Sequence, residues 1–270
     1  MTSRVTRSIP VDGGIVQVDS EGDGPDLVII HSLLTGPEAF DTVTGSLARE
    51  FTVHRLYLPG FGASTPRQGT GLTIAELAAV VASTIAELGA RPGTTVLGNG
   101  LGSFIALSLA IGHAETMQHL IVANTGPGFP DERKGAFTTM SRLAEEGGMT
   151  AVADVALARI FPPTYIAAWP DALAERRSVL EEIDPGAFAA ACRALADLDL
   201  TADLPGIHHP TLVIAGEIDQ TTPPEMGRAV AAAIPRARFE MIPQCGHCPQ
   251  LEQPEALCDV IEGFLVTAGT

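Results

Sequence analysis

Two short stretches of this 270-residue chain combine residue types and spacings that could do chemistry. The first is Gly98-Asn99-Gly100-Leu101-Gly102, which follows the apolar run Thr95-Val-Leu97 and leads into Ser103-Phe-Ile-Ala-Leu-Ser-Leu-Ala110, with its helical periodicity. The pattern reads as strand, sharp turn, helix. In the elbow G-x-S-x-G, a serine at the apex of such a turn is held in strained backbone that aims its hydroxyl into a pocket. Here the apex is Gly100, so the turn is kept and its attacking oxygen is gone. Glycine takes up that backbone almost freely, so losing an idle serine there would relieve strain, whether the change is natural or introduced. The spacing Gly98-x-Gly100-x-x-Ser103 also nearly fits a dinucleotide loop, whose glycines let a pyrophosphate approach a helix N-terminus. Against that, the next strand ends in Ala123-Asn124 and not in the acidic residue a ribose needs, and several strands precede the loop.

The second stretch is Cys245-Gly-His-Cys248. Its C-x-x-C spacing resembles the redox site of protein disulfide isomerases, but those sites open a helix near the start of a domain and this one lies close to the chain's end. Cys192, Cys245, Cys248 and Cys258 are therefore expected to be reduced thiols. His31, His54, His113, His119, His208 and His209 show no metal-ligand spacing, so neither a metal nor a cofactor is expected.

Composition narrows the partners. With 46% hydrophobic residues the chain can bury a large core, and a formal charge of −16 repels nucleic acid and anionic lipid. No run approaches the roughly 20 apolar residues of a membrane span. The first ten residues contain no apolar export segment, so the expectation is a cytoplasmic protein.

The elements that must position the chemistry follow from the remaining pattern. Residues 3–19 alternate around Asp12-Gly-Gly14 as an edge hairpin. The near-continuous apolar runs Asp26–His31, Phe51–Leu58, His119–Asn124 and Thr211–Gly216 read as strands buried on both faces, with Arg238–Ile242 as a last strand. Thr73-Ile-Ala-Glu76 and Thr222-Pro-Pro-Glu225 have the spacing of capping boxes, and Gly89 is placed as a helix stop. Strands alternating with helices imply parallel βαβ units. Between residues 127 and 205 the pattern turns helical, with breaks at Gly147-Gly148, Pro162-Pro163 and Asp184-Pro185. This segment is read as a helical cap inserted between two pieces of core, residues 1–126 and 206–270.

The order of elements resembles the α/β-hydrolase fold over nearly the whole chain, above all its small capped members: enol-lactone hydrolases, cofactor-free haloperoxidases and C–C bond hydrolases. The signatures are His31-Ser-Leu-Leu-Thr-Gly36 at the oxyanion loop, Pro59-Gly-Phe-Gly62, Gly216-Glu-Ile-Asp219 at the acid and Gly246-His247-x-Pro249 at the histidine. The resemblance implies a mostly parallel eight-stranded sheet flanked by helices. It also implies that Asp219 holds and polarises His247, and that the backbone amides of Leu33 and Leu101 form an oxyanion hole. The departures are Gly100 at the elbow and Ser32 where the family has glycine after His31.

Ser32 could face the pocket as a substitute nucleophile or hydrogen-bond donor, or simply bond its own backbone. Ser103 is expected to pack in the helix after the elbow. Phe129, Phe137, Met140, Phe161, Tyr165, Trp169 and Phe188 are candidates for an apolar pocket wall or for ordinary core, and Asn99 and Cys248 are further candidate substrate contacts. The leading expectation is an enzyme in which His247, oriented by Asp219, takes a proton directly from a small substrate of apolar character, for elimination, lyase or cyclisation chemistry, with room for a substrate atom above the bare turn. Two alternatives are hydrolysis of a labile ester, lactone or β-dicarbonyl by activated water, and a catalytically silent binding protein. A homodimer is left open.

Overall fold

A computed structural model of the chain describes residues 3–67, 72–90 and 93–268; Met1 and Thr2, part of the export-signal reading, lie outside them. In chain order the elements begin with β1 (Val5–Val11), β2 (Gly14–Glu21), β3 (Asp26–Ile30), α1 (Asp41–Leu47), β4 (Thr52–Leu56) and α2 (Ile74–Leu88). Next come β5 (Thr95–Asn99), α3 (Leu101–Gly112), β6 (His119–Ala123), α4 (Asp131–Ile160), α5 (Pro163–Ala168), α6 (Pro170–Glu181) and α7 (Pro185–Asp197). The chain closes with β7 (Thr211–Gly216), α8 (Pro224–Ala233), β8 (Ala237–Ile242), α9 (Pro249–Glu252) and α10 (Pro254–Ala268).

The strands form one eight-stranded sheet in the order β1-β2-β4-β3-β5-β6-β7-β8. The edge hairpin pairs antiparallel, as does β2 with β4, and every pairing from β4 to β8 is parallel. The apolar runs explain why both faces are covered. In β3, Val28 and Ile30 join one hydrophobic cluster while Leu27 and Ile29 join the other. The same alternation divides Val96 from Leu97, Leu120 and Val122 from Ile121, and Val213 from Leu212 and Ile214. Successive side chains point to opposite faces, so a strand that is apolar at every position needs a helical layer on each side.

Local signals act as the sequence suggests at three helix ends. Thr73 and Glu76 close a reciprocal capping box on α2, and Gly89 ends it in the left-handed region at φ 67°. Asp184 accepts the Ala187 amide at the start of α7. The second expected capping box does not form: α8 starts after Pro223, and the Thr222 hydroxyl donates to Asp219 instead. A buried carboxylate is the stronger acceptor, and it draws the hydroxyl away from the helix. The helices α4 to α7 fill the interval between β6 and β7, with α4 broken at Gly148 (φ 69°, ψ −174°). Phe129, Phe137 and Met140 from this interval join the same hydrophobic cluster as Phe104 and Leu101 of α3, while α4 packs on α6 and α7 and α7 touches α2.

Candidate active site

The chemistry-bearing residues come together at the carboxyl ends of the parallel strands: Ser32 after β3, Gly100 after β5, Asn124 after β6, Asp219 after β7 and His247 after β8. Open parallel sheets bind ligands at this edge, where loops diverge from a rigid frame.

The turn after β5 has elbow geometry. Gly100 sits at φ 54°, ψ −120°, and its amide bonds the Ala123 carbonyl at 3.1 Å. A Cβ on Gly102 would overlap the Ile30 carbonyl oxygen, so α3 leaves the turn pressed against the end of β3. A Cβ on Gly100 would stand 3.0 Å from His247 Nε2 and 2.9 Å from Ser32 Cβ, and would overlap Ser32 Oγ. The expected room above the turn is therefore taken: the Ser32 side chain fills it.

Asp219 is the anchor of the site. Its Oδ1 accepts the Thr221 and Thr222 amides at 2.7 and 3.2 Å. Its Oδ2 accepts the Thr222 hydroxyl at 2.7 Å, Asn124 Nδ2 at 2.8 Å and His247 Nδ1 at 2.9 Å. Burial pushes this carboxyl up, but the neighbouring His247 and the donated hydrogen bonds more than offset it and hold it at about 2. With Nδ1–H committed to Asp219, the neutral imidazole keeps its lone pair on Nε2, which faces the elbow. The histidine loop is braced separately: Glu252 accepts the Gly246 and Cys248 amides at 2.7 and 2.9 Å, and Asn124 and Asn99 donate to the Gly246 and His247 carbonyls at 3.1 and 3.2 Å.

Opposite lies the loop after β3. His31 is fully buried; its Nε2 accepts the Leu58 amide at 3.0 Å and its Nδ1 donates to the Ser32 carbonyl at 2.8 Å. Burial lowers its pKa to about 4, so this ring is a neutral clamp and not an acid–base group. Among the described residues, neither the Leu33 amide nor the Leu101 amide is engaged, and both residues line the cavity.

That cavity is small, about 30 Å³ of space open to the centre of a water molecule, or room for about two waters. Its wall includes Ser32, Leu33, Gly100, Leu101, Phe129, Phe137, Met140 and His247, together with Leu34, Phe104, Arg159, Leu195, Thr221 and Thr222. Other sequence candidates lie elsewhere. Trp169 is 59% exposed, Tyr165 stacks on Phe161 at 4.6 Å, and none of the three lines the cavity. A single turn of proline-started helix, α5, carries Tyr165 away from the pocket, and Trp169 stands at the junction of α5 and α6. Asn99 and Cys248 are also absent from the wall: the Asn99 amide is spent on Asn124 and the His247 carbonyl, and the Cys248 thiol is buried. Ser103 donates to the Gly100 carbonyl inside α3, and Phe188 is core. Burial pushes the Cys245 and Cys248 thiols far up, which is the reverse of what a reactive thiolate site needs. No group of His, Cys, Asp and Glu among the described residues could hold a metal.

Sequence reasoning missed Asn124, Thr222 and Arg159. Asn124 carried a signal, since an asparagine closing a buried strand suits the left-handed region, and it sits there at φ 55°.

This fold and this strand-end geometry define the class: the chain belongs to the alpha/beta hydrolase family, which it matches over residues 27–260. It is similar to the pimeloyl-[acyl-carrier protein] methyl ester esterase of Nitrosomonas europaea, with 29% identity covering 89% of this chain and 95% of that one. It is also similar to 3-oxoadipate enol-lactonase 2 of Acinetobacter baylyi, with 27% identity over 91% and 90%. Among solved structures, the enol-lactonase of Burkholderia xenovorans superposes with a TM-score of 0.89 at 27% identity, covering 96% of this chain and all of that one. Among the described residues no helix is long and apolar enough to cross a membrane.

Proposed function

We propose that this enzyme hydrolyses a compact, largely apolar ester or lactone, with His247 braced by Asp219 as the proton-transfer group and the Leu33 and Leu101 amides as oxyanion donors. The observation that carries the reading is the imidazole itself: Nδ1 is tied to a buried carboxylate at 2.9 Å, and Nε2 lies 3.0 Å from where an elbow side chain would begin. A base held in the right tautomer beside two unengaged amides is the apparatus of acyl transfer. Relatives spanning nine-tenths of the chain that are named as an esterase and an enol-lactonase support the same class of substrate.

Arg159 narrows the substrate further. Its guanidinium lies 5.7 Å from the centre of the Phe137 ring and forms no ion pair with a described residue, so a cavity walled mainly by apolar side chains also carries a cation. A substrate with an anionic or strongly polar end would satisfy it.

Direct proton abstraction for elimination is the second reading, favoured by the missing Cβ at residue 100. It requires space for a substrate atom above the turn, and Ser32 occupies that space. Turnover of short esters and lactones in water enriched in heavy oxygen separates the two. Hydrolysis places one labelled oxygen in the acid product, and elimination places none; unlabelled product would overturn the hydrolytic reading.

A further inference from the structure

We propose that Ser32 carries the nucleophilic hydroxyl of this enzyme, delivered to His247 from the loop after β3 instead of from the elbow. The proposal rests on the hydrolytic reading above and adds to it a covalent acyl-enzyme step. The two departures from the family pattern, Gly100 and Ser32, then become a single rearrangement.

Position is the first argument. The point where a Cβ would leave Gly100 is 3.0 Å from His247 Nε2, and Ser32 Oγ overlaps that same point. The hydroxyl thus stands beside the point from which an elbow serine would extend, and forms no hydrogen bond with His247 in this structure. Any side chain at residue 100 would drive it out, so glycine at the apex is what leaves the Ser32 side chain this volume beside the turn.

The hydroxyl's lack of other work is the second. Ser32 is 2% exposed and lines the cavity, yet its Oγ bonds no described residue, whereas a loop serine in a structural role would bond nearby backbone.

The third concerns the oxyanion donors. In the elbow arrangement one donor is the amide following the nucleophile and the other comes from the facing loop. With Ser32 attacking, Leu33 becomes the amide that follows the nucleophile and Leu101 the amide that faces it, so the pair exchanges roles and the hole keeps its place. His31 fixes its aim. In a planar trans peptide the carbonyl and the next amide point in opposite directions, so holding the Ser32 carbonyl at 2.8 Å also sets the direction of the Leu33 N–H.

In the reaction, Ser32 Oγ bonds to the ester carbonyl carbon while its proton passes to His247 Nε2, and the carbonyl oxygen becomes an oxyanion held by the Leu33 and Leu101 amides. The bond from carbon to the leaving oxygen then breaks, and the alcohol takes the proton from His247. Water adds to the acyl carbon, giving a proton to the imidazole. The bond to Ser32 breaks, the acid departs and Ser32 recovers its proton.

The test treats the whole purified protein with an alkyl fluorophosphonate and maps the adduct by peptide mass spectrometry. The expected result is one phosphonyl group on Ser32, with loss of fluoride, absent in Ser32→Ala and in His247→Ala. Ester turnover should fall on the order of 10³-fold or more in Ser32→Ala. The double variant Ser32→Gly/Gly100→Ser restores the family arrangement, should fold without the overlap, and should take the label at position 100. A native protein unlabelled at Ser32 while the double variant labels at position 100 would overturn the proposal, because the base and the hole would then be competent. So would Ser32→Ala turning over esters at close to the native rate, a result that leaves the hydrolytic reading standing. Labelling of Ser32 in a protein that releases only unlabelled product from heavy-oxygen water would sink that reading and spare the nucleophile.

Discussion

The two sides of the site are built on opposite terms. On the acid side, Asp219 accepts five donors, and backbone carbonyls around His247 are held by Asn99 and Asn124. Across the cavity, the Ser32 hydroxyl and the Leu33 and Leu101 amides answer to no described residue. A satisfied network fixes the tautomer and direction of the imidazole; unanswered donors are held ready for charge that develops only during reaction. The contrast teaches where rigidity is spent: on the group that must not rotate.

Breaking the satisfied side should cost most. His247→Ala removes the imidazole whose Nε2 faces the turn and is expected to lower kcat/KM by about 10² to 10⁴-fold, measured on a short-chain ester, with the melting temperature checked for intact folding. Asn124→Ala deletes two of the braces, to Asp219 and to the Gly246 carbonyl, and should cost about 1–3 kcal/mol in urea unfolding together with a smaller loss of kcat.

Filling the unsatisfied side sharpens the contrast. Gly100→Ala places a Cβ at φ 54° against Ser32 and His247, and strain alone should cost about 1–3 kcal/mol of stability. Combined with Ser32→Gly, part of that loss should return, and a double-mutant cycle in urea measures the coupling.

Acid probes both sides at once, in separate windows. His31 has its pKa lowered by burial from 6.5 to about 4, so the unfolded chain binds its proton first. The stability it contributes is complete above pH 6.5 and falls as pH drops towards 4, by on the order of 3 kcal/mol. For Asp219, lowered from 3.8 to about 2, the same sign applies between those values, and roughly 2 kcal/mol is lost there. Unfolding free energies measured from pH 7 to pH 2 should decline in both windows, and His31→Asn should flatten the upper one. The smallest effect is reserved for Trp169→Ala, which should leave kcat/KM unchanged and move stability by no more than about 0.5 kcal/mol, because that ring stands in solvent.

Much of the frame was legible because it follows from periodicity. Runs such as Asp26-Leu-Val-Ile-Ile30 are apolar at consecutive positions, which only a strand covered on both faces explains, and Thr73 with Glu76 marks a helix start by its chemistry. That Asp219 and His247 meet at the turn of Gly100 was implied by the resemblance to the α/β-hydrolase fold, through the motifs that carry them, and not by periodicity. The pocket wall was much less legible. Phe137 and Trp169 are both aromatic residues in a helical stretch, and only the packing of α4 against α6 and α7 and the departure of α5 decide that one lines the cavity and the other meets water. Thr222 read as a helix cap because spacing is local, whereas the carboxylate that claims its hydroxyl is assembled from other loops. Least visible was the meeting of Ser32 with Gly100, two residues 68 positions apart in a pairing that depends on β3 and β5 lying side by side.

The narrowness of the cavity has a kinetic consequence. About 30 Å³ accommodates a pair of waters, so if the enzyme takes the ester proposed above, the wall that α4 contributes must give way to admit it. Apparent affinity then equals intrinsic affinity diminished by the fraction of time spent ajar. Substitutions on the outer surfaces of those helices, remote from every reacting atom, will therefore tune how readily the enzyme saturates.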